Sequence, residues 1–170
     1  KLHLKRKLKI IDYYETESVL RRWEEGVSRG KKIIRHKSRK GETLLEEDLK
    51  TLEQQCRNCF KCPLGKTRTN LVFGTGNEKA QIMFIGEGPG EQEDLQGLPF
   101  VGKSGRLLDM YLSLLDLDRN KNVYIANRVK CRPPHNRDPK PEETELCLPC
   151  LRKQVKLIRP VIIVCLGRRA

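Results

Sequence analysis

Residues 82–105 constrain this chain more than any other stretch. A continuous apolar run, Ile82-Met-Phe-Ile85, passes straight into closely spaced glycines at Gly86, Gly88 and Gly90. An unbroken apolar run reads as a strand covered on both faces, and glycines at its carboxyl end make the ligand-holding loop of an α/β protein. The loop is unusual in carrying Glu87, Glu91, Glu93 and Asp94, which would repel a bound phosphate. Two later runs, Val123-Tyr-Ile-Ala126 and Val161-Ile-Ile-Val-Cys-Leu166, are equally apolar.

Helical patterns fall between these runs. Thr43-Leu-Leu-Glu46 has the form of a capping box, and Leu44, Leu45, Leu49 and Leu52 continue it as a helix toward Cys56. Leu107, Leu108, Tyr111, Leu112 and Leu115 predict one buried helical face. Pro141 with Glu142 and Glu143 opens another helix, Pro149 should kink or restart it, and Arg159-Pro160 should end it. Strands alternating with helices predict an α/β three-layer sandwich on a short parallel sheet, truncated after the third visible strand.

Charge divides the chain. Of a net +13, residues 1–40 supply +9, from 14 Lys/Arg against 5 Asp/Glu. Leu2, Leu4, Leu8 and Ile10 alternate as in a strand or extended arm, and Val19, Leu20, Trp23 and Val27 follow at helical spacing. Lys31, Lys32, Arg35, Lys37, Arg39 and Lys40 then form a basic linker suited to phosphates. Residues 1–41 are expected to be a basic, partly helical N-terminal extension, and residues 42–170 the compact domain. No apolar run is long enough to span a bilayer and no secretory signal is present, so a cytoplasmic, reducing setting is expected.

That setting bears on the seven cysteines. Cys56, Cys59 and Cys62 are spaced by two residues each, with Cys131, Cys147 and Cys150 far downstream and Cys165 inside an apolar strand as the inert one. Four thiolates brought together hold zinc or an iron–sulfur cluster. A zinc ribbon would want its two Cys-x-x-Cys knuckles closer than Cys62 and Cys147 are. A second pattern, Gly97-Leu-Pro-Phe-Val-Gly102-Lys103-Ser104, matches a P-loop. Its mechanism needs a strand directly before the first glycine, and Glu91–Gln96 reads instead as an acidic turn.

Several motifs occur together and in order: Cys59-x-x-Cys62-Pro-Leu64, Arg68-Thr69, Gly86-Glu-Gly-Pro-Gly90 with Glu93-Asp94, Pro99-Phe-Val-Gly102, Val123-Tyr-Ile-Ala-Asn127, Lys130-Cys-Arg-Pro-Pro134, Asn136-Arg137 and Cys147-x-Pro149. From Cys56 onward the chain resembles the family 4 uracil-DNA glycosylases, the iron–sulfur branch of that superfamily. The resemblance implies a 4Fe-4S cluster, mainly structural, held by Cys59, Cys62, Cys131 and Cys147. Cys56 would be additional, and Cys150 stands where the family usually has a tyrosine.

The resemblance also implies a pocket for a base taken out of the DNA stack. Phe100 would stack on uracil and Asn127 would bond its Watson–Crick edge. Gly86, Glu87, Gly88 and Glu93 would frame the pocket, with Glu87 and Glu93 helping to place the attacking water. Gly88 replaces a more usual alanine, and the family's His-Pro loop would lie after Ala170. Two functions are therefore expected. One is hydrolysis of the N-glycosidic bond of uracil in single- or double-stranded DNA. The other is a non-catalytic DNA-binding module fused to a larger replication protein such as a phage DNA polymerase. Other replication or repair proteins are candidate partners.

Overall fold

The computed structural model describes residues 11–15, 48–168 and 170. The three apolar runs form the parallel centre of a sheet: β3 (Ile82–Gly86), β4 (Val123–Asn127) and β5 (Ile162–Leu166). Two antiparallel strands extend it, β1 (Ile11–Glu15) beside β5 and β2 (Thr75–Gly76) beside β4, for a strand order β1-β5-β3-β4-β2. Three strands were expected, with residues 1–41 as an extension. Five of those residues are instead the strand Ile11–Glu15 in the domain's own sheet. The expected arm, the helix beyond Glu15, the basic linker and the Thr43 cap lie outside the described residues.

Alternation along the strands sorts the core into two layers. Met83, Ile85, Tyr124, Ala126 and Ile163 point to a face covered by α1 (Leu49–Arg57) and α5 (Pro141–Ile158), which contribute Leu49, Leu52, Leu151, Val155 and Ile158. Phe84, Val123 and Ile125 point to the opposite face, where α4 (Lys103–Ser113) supplies Leu108 and Leu112. This is the expected three-layer sandwich. Two short helices complete the chain, α2 (Leu64–Thr67) and α3 (Glu91–Gln96). Asp48 caps α1, its carboxylate accepting from the Thr51 amide at 2.7 Å.

Three local expectations are corrected. Glu91–Gln96 is a helix rather than a turn, because the Glu93 carboxylate reaches back to the Gly90 amide and satisfies a donor that would otherwise be orphaned. On α4 only Leu108 and Leu112 of the predicted face are buried, while Leu107 and Tyr111 stay 48% and 39% exposed and Leu115, 50% exposed, lies past the helix's end. Leu108 and Leu112, one turn apart, face the sheet, and Leu107 and Tyr111 are each turned about 100° from the residue that follows them, toward solvent. Pro149 does not restart the helix, since α5 runs unbroken over 18 residues. Its ring removes one backbone bond while packing on either side keeps the helix in register. Arg159, in the left-handed region, ends α5 as expected.

Parallel register sets Gly86 beside Asn127, so the carboxyl ends of β3 and β4 lie together. Pairing continues past the strands, with the Arg128 amide donating to the Gly86 carbonyl at 2.8 Å and the Val129 amide to Glu87 at 3.1 Å. Among the described residues no helix is long and apolar enough to cross a membrane.

Candidate active site

The two strand ends open onto a pocket of about 260 Å³. Of the residues expected there, Glu87, Gly88, Glu93, Phe100 and Asn127 all line it. Gly86 lies beneath them, where its backbone is approached from two sides. A Cβ on Gly86 would stand 2.5 Å from Asn127 Oδ1 and 2.5 Å from Phe100 Cζ. The glycine thus lets an amide and an aromatic ring meet over one strand end. At Gly88 a Cβ would press on Val129 Cγ2 at 2.8 Å, so the glycine also leaves room for that neighbour.

Phe100 takes a left-handed backbone, φ 55°, which costs a bulky residue about 1–3 kcal/mol. Two devices hold it there. Arg119 donates to the carbonyls of Pro99 at 3.1 Å and Phe100 at 2.6 Å. Gly105, in the first turns of α4, has no side chain to collide with the Phe100 carbonyl. Arg119 stands in no motif and was invisible in the sequence.

The two carboxylates differ. Glu93 is 8% exposed and accepts from the amides of Gly90, Val101 and Gly102 at 3.1, 2.9 and 2.8 Å. It joins the loop before α3 to the loop before α4. Glu87 Oε1, by contrast, is buried without a hydrogen-bond partner, as is Asn127 Oδ1. Asp94 ties α3 to the Thr69 and Asn70 amides at 3.0 and 3.2 Å. The opposite wall is the loop 131–140, where Arg137 makes a two-pronged pair with Glu143 at 2.9 and 2.7 Å. The guanidinium holds the Glu143 carboxyl below its ordinary value, and the Lys140 amide adds to the effect. Arg137 was part of a recognised motif, yet no role for it followed from its position.

A second cavity, of about 460 Å³, lies between α1, the loop after it and α5. Cys59, Cys62, Cys131 and Cys147 line it, and so do Cys56 and Cys150. Arg68 donates to Cys131 Sγ at 3.2 Å and the Lys130 amide to Cys147 Sγ at 3.3 Å. Burial pushes the Cys147 thiol up to about 12 and raises Cys131 as well. The contact with Cys150 lowers Cys56 and raises Cys150 itself. Among the described residues no three His, Cys, Asp or Glu side chains converge tightly enough for a single metal ion.

Lys130 lies between the two sites. Its fully buried ammonium donates to the Asn127 carbonyl at 2.7 Å and to Gln154 Oε1 at 2.5 Å, while burial lowers its pKa. The lysine therefore fixes the backbone that carries the Asn127 amide.

Comparison with known proteins agrees with this geometry. Residues 73–170 match the family model of the uracil DNA glycosylase superfamily. The chain is 54% identical over 124 residues to a type-4 uracil-DNA glycosylase of Archaeoglobus fulgidus, covering 73% of this chain and 62% of the relative. It is 50% identical over 125 residues to one from Saccharolobus solfataricus, covering 73% and 57%. A DNA polymerase of Bacillus phage SP01 is 32% identical over 94 residues, 55% of this chain and 10% of that protein. The chain thus spans about three-fifths of the length of the two glycosylases.

Proposed function

This chain belongs to the uracil-DNA glycosylase superfamily, and from that premise we propose that the intact protein hydrolyses the N-glycosidic bond of uracil in DNA and leaves the backbone uncut. The observation that carries the reading is the pair of unpartnered buried oxygens, Asn127 Oδ1 and Glu87 Oε1, at one pocket. Buried polar atoms are nearly always paired, and both of these oxygens belong to residues that line one pocket, so a ligand that brings donors there would meet a need the protein leaves open. The N3–H of uracil supplies one to Asn127, and a water held by Glu87 supplies the other. Cytosine has a bare acceptor at N3, which would face Asn127 Oδ1 and leave both atoms unpaired. Such a mismatch rejects the wrong base by about 10²-fold or more.

The remaining roles follow from position. DNA must present the base flipped out of its stack, and Phe100 offers it a ring face. Glu93 frames the pocket and Glu87 positions the water. Bond cleavage builds positive charge on the sugar, which the Glu87 carboxylate stabilises, and negative charge on the base. Incubating the intact protein with a uracil-containing oligonucleotide tests the reading. Abasic sites support it, and their absence contradicts it.

We further infer that Cys59, Cys62, Cys131 and Cys147 hold a 4Fe-4S cluster. Six cysteines lining one cavity and N–H donors to the Cys131 and Cys147 sulfurs support it. Bound, the group would cross-link the α1–α2 loop, the loop after β4 and α5. Iron and sulfide analysis checks this. Residues 31–40 would add phosphate contacts, and a reducing cytoplasm would keep the thiols available. The similarity to the phage polymerase favours a second reading, a DNA-binding module within a larger replication protein. DNA binding without abasic sites would select it.

A further inference from the structure

Six cysteines line the cavity between α1 and α5, and the proposed cluster takes four. The two left over are not scattered. Cys56, at the end of α1, and Cys150, in the middle of α5, hold their sulfurs 2.8 Å apart although 94 residues separate them. Cys131 and Cys147 use their sulfurs differently, accepting from Arg68 and from the Lys130 amide. We propose that Cys56 and Cys150 form a redox-active pair, separate from the cluster ligands, that closes to a disulfide and clasps α1 to α5.

The sulfurs already lie inside van der Waals contact, on two helices packed against each other, so bond formation needs little movement. The oxidant is a small peroxide. Both sulfurs line the open cavity, and the contact makes Cys56 the more readily ionised of the two. The Cys56 sulfur attacks hydrogen peroxide, the O–O bond breaks, and one water leaves. The Cys150 sulfur then attacks the resulting sulfenic acid, the S–S bond forms, the S–O bond breaks, and a second water leaves. Two thiols are oxidised by two electrons while one peroxide becomes two waters. A link across so long a loop narrows the unfolded ensemble and should raise the melting temperature by about 5–15 °C, reversibly with dithiothreitol. The inference takes from the proposed cluster only which cysteines remain; the contact itself stands apart from it.

The full chain, treated with one equivalent of hydrogen peroxide, alkylated and digested without reductant, tests the pair. The expected result is a Cys56–Cys150 linked peptide, two thiols lost per chain, and a raised melting temperature. Cys56→Ser and Cys150→Ser, made separately so that one misfolded variant leaves the other, should each lose the peptide and the temperature shift and keep the iron of the parent chain. Links among Cys59, Cys62, Cys131 and Cys147, or full alkylation of Cys56 and Cys150 after treatment, would overturn the proposal. So would loss of iron in both folded variants, which would make them ligands. A parent chain without iron that still yields the linked peptide overturns the cluster reading and upholds this one.

Discussion

The pocket at the ends of β3 and β4 and the cysteine cavity between α1 and α5 lie on either side of Lys130, and they treat polar atoms in opposite ways. In the pocket, Glu87 and Asn127 each keep an oxygen buried without a partner, while Glu93 beside them is bonded to three amides. In the cavity, Arg68 and the Lys130 amide donate to the sulfurs of Cys131 and Cys147, and the sulfurs of Cys56 and Cys150 meet each other. The pocket holds unmet hydrogen-bonding capacity for a visitor. The cavity's sulfurs already have partners, which suits the resident group proposed for it. Side chains in the pocket should therefore matter for catalysis more than for stability, and those in the cavity the reverse.

Glu87→Gln should break the pocket's side of that contrast most severely. The rate of abasic-site formation under single-turnover conditions should fall by about 10²–10³-fold, with the melting temperature little changed. Cys131→Ser should act on the other side. Bound iron should fall and the melting temperature should drop by about 10 °C, with activity lost in proportion to folded protein. Glu93→Gln sharpens the contrast within the pocket, since its carboxylate already accepts from three backbone amides. Denaturant unfolding should show a loss of about 1.5–3 kcal/mol.

The smallest effect is a pH dependence. Glu143 has its pKa lowered from 4.5, first by Arg137. A depressed carboxylate adds stability that is present above its unfolded value and is lost as pH falls through the folded one. The melting temperature of Arg137→Ala should thus lie below that of the parent at neutral pH, and the gap should close below pH 4.5. A gap that persists in acid would mean that Arg137 works through packing alone.

Much of the scaffold was legible because it depends on local pattern. Three apolar runs gave the three parallel strands, and the glycines after β3 gave the place of the pocket. Phe100, Asn127 and Glu87 were found through their motifs, and the structure brings them together. The devices that hold them were hidden, since each is a long-range contact of an ordinary residue. Arg119 reaches back to the Phe100 carbonyl, and Lys130 grips Asn127 through its backbone. Cys56 and Cys150 read as two unrelated extras, because nothing in a linear spacing shows that α1 packs on α5. Glu93 and Glu87 looked alike as loop acids, and only the amides around Glu93 separate them.

Asn127→Ala offers the most direct test of the pocket's reserved oxygens, because it can be read twice on one protein. Asn127 is 1% exposed, its Oδ1 bonds nothing within the protein, and Lys130 holds its main chain rather than its side chain. The variant should lose about 10²–10³-fold in uracil release while its unfolding free energy stays equal to the parent's or rises. Unchanged uracil release, or a loss of activity matched by an equal loss of stability, would contradict the claim that this amide is held in place for the base.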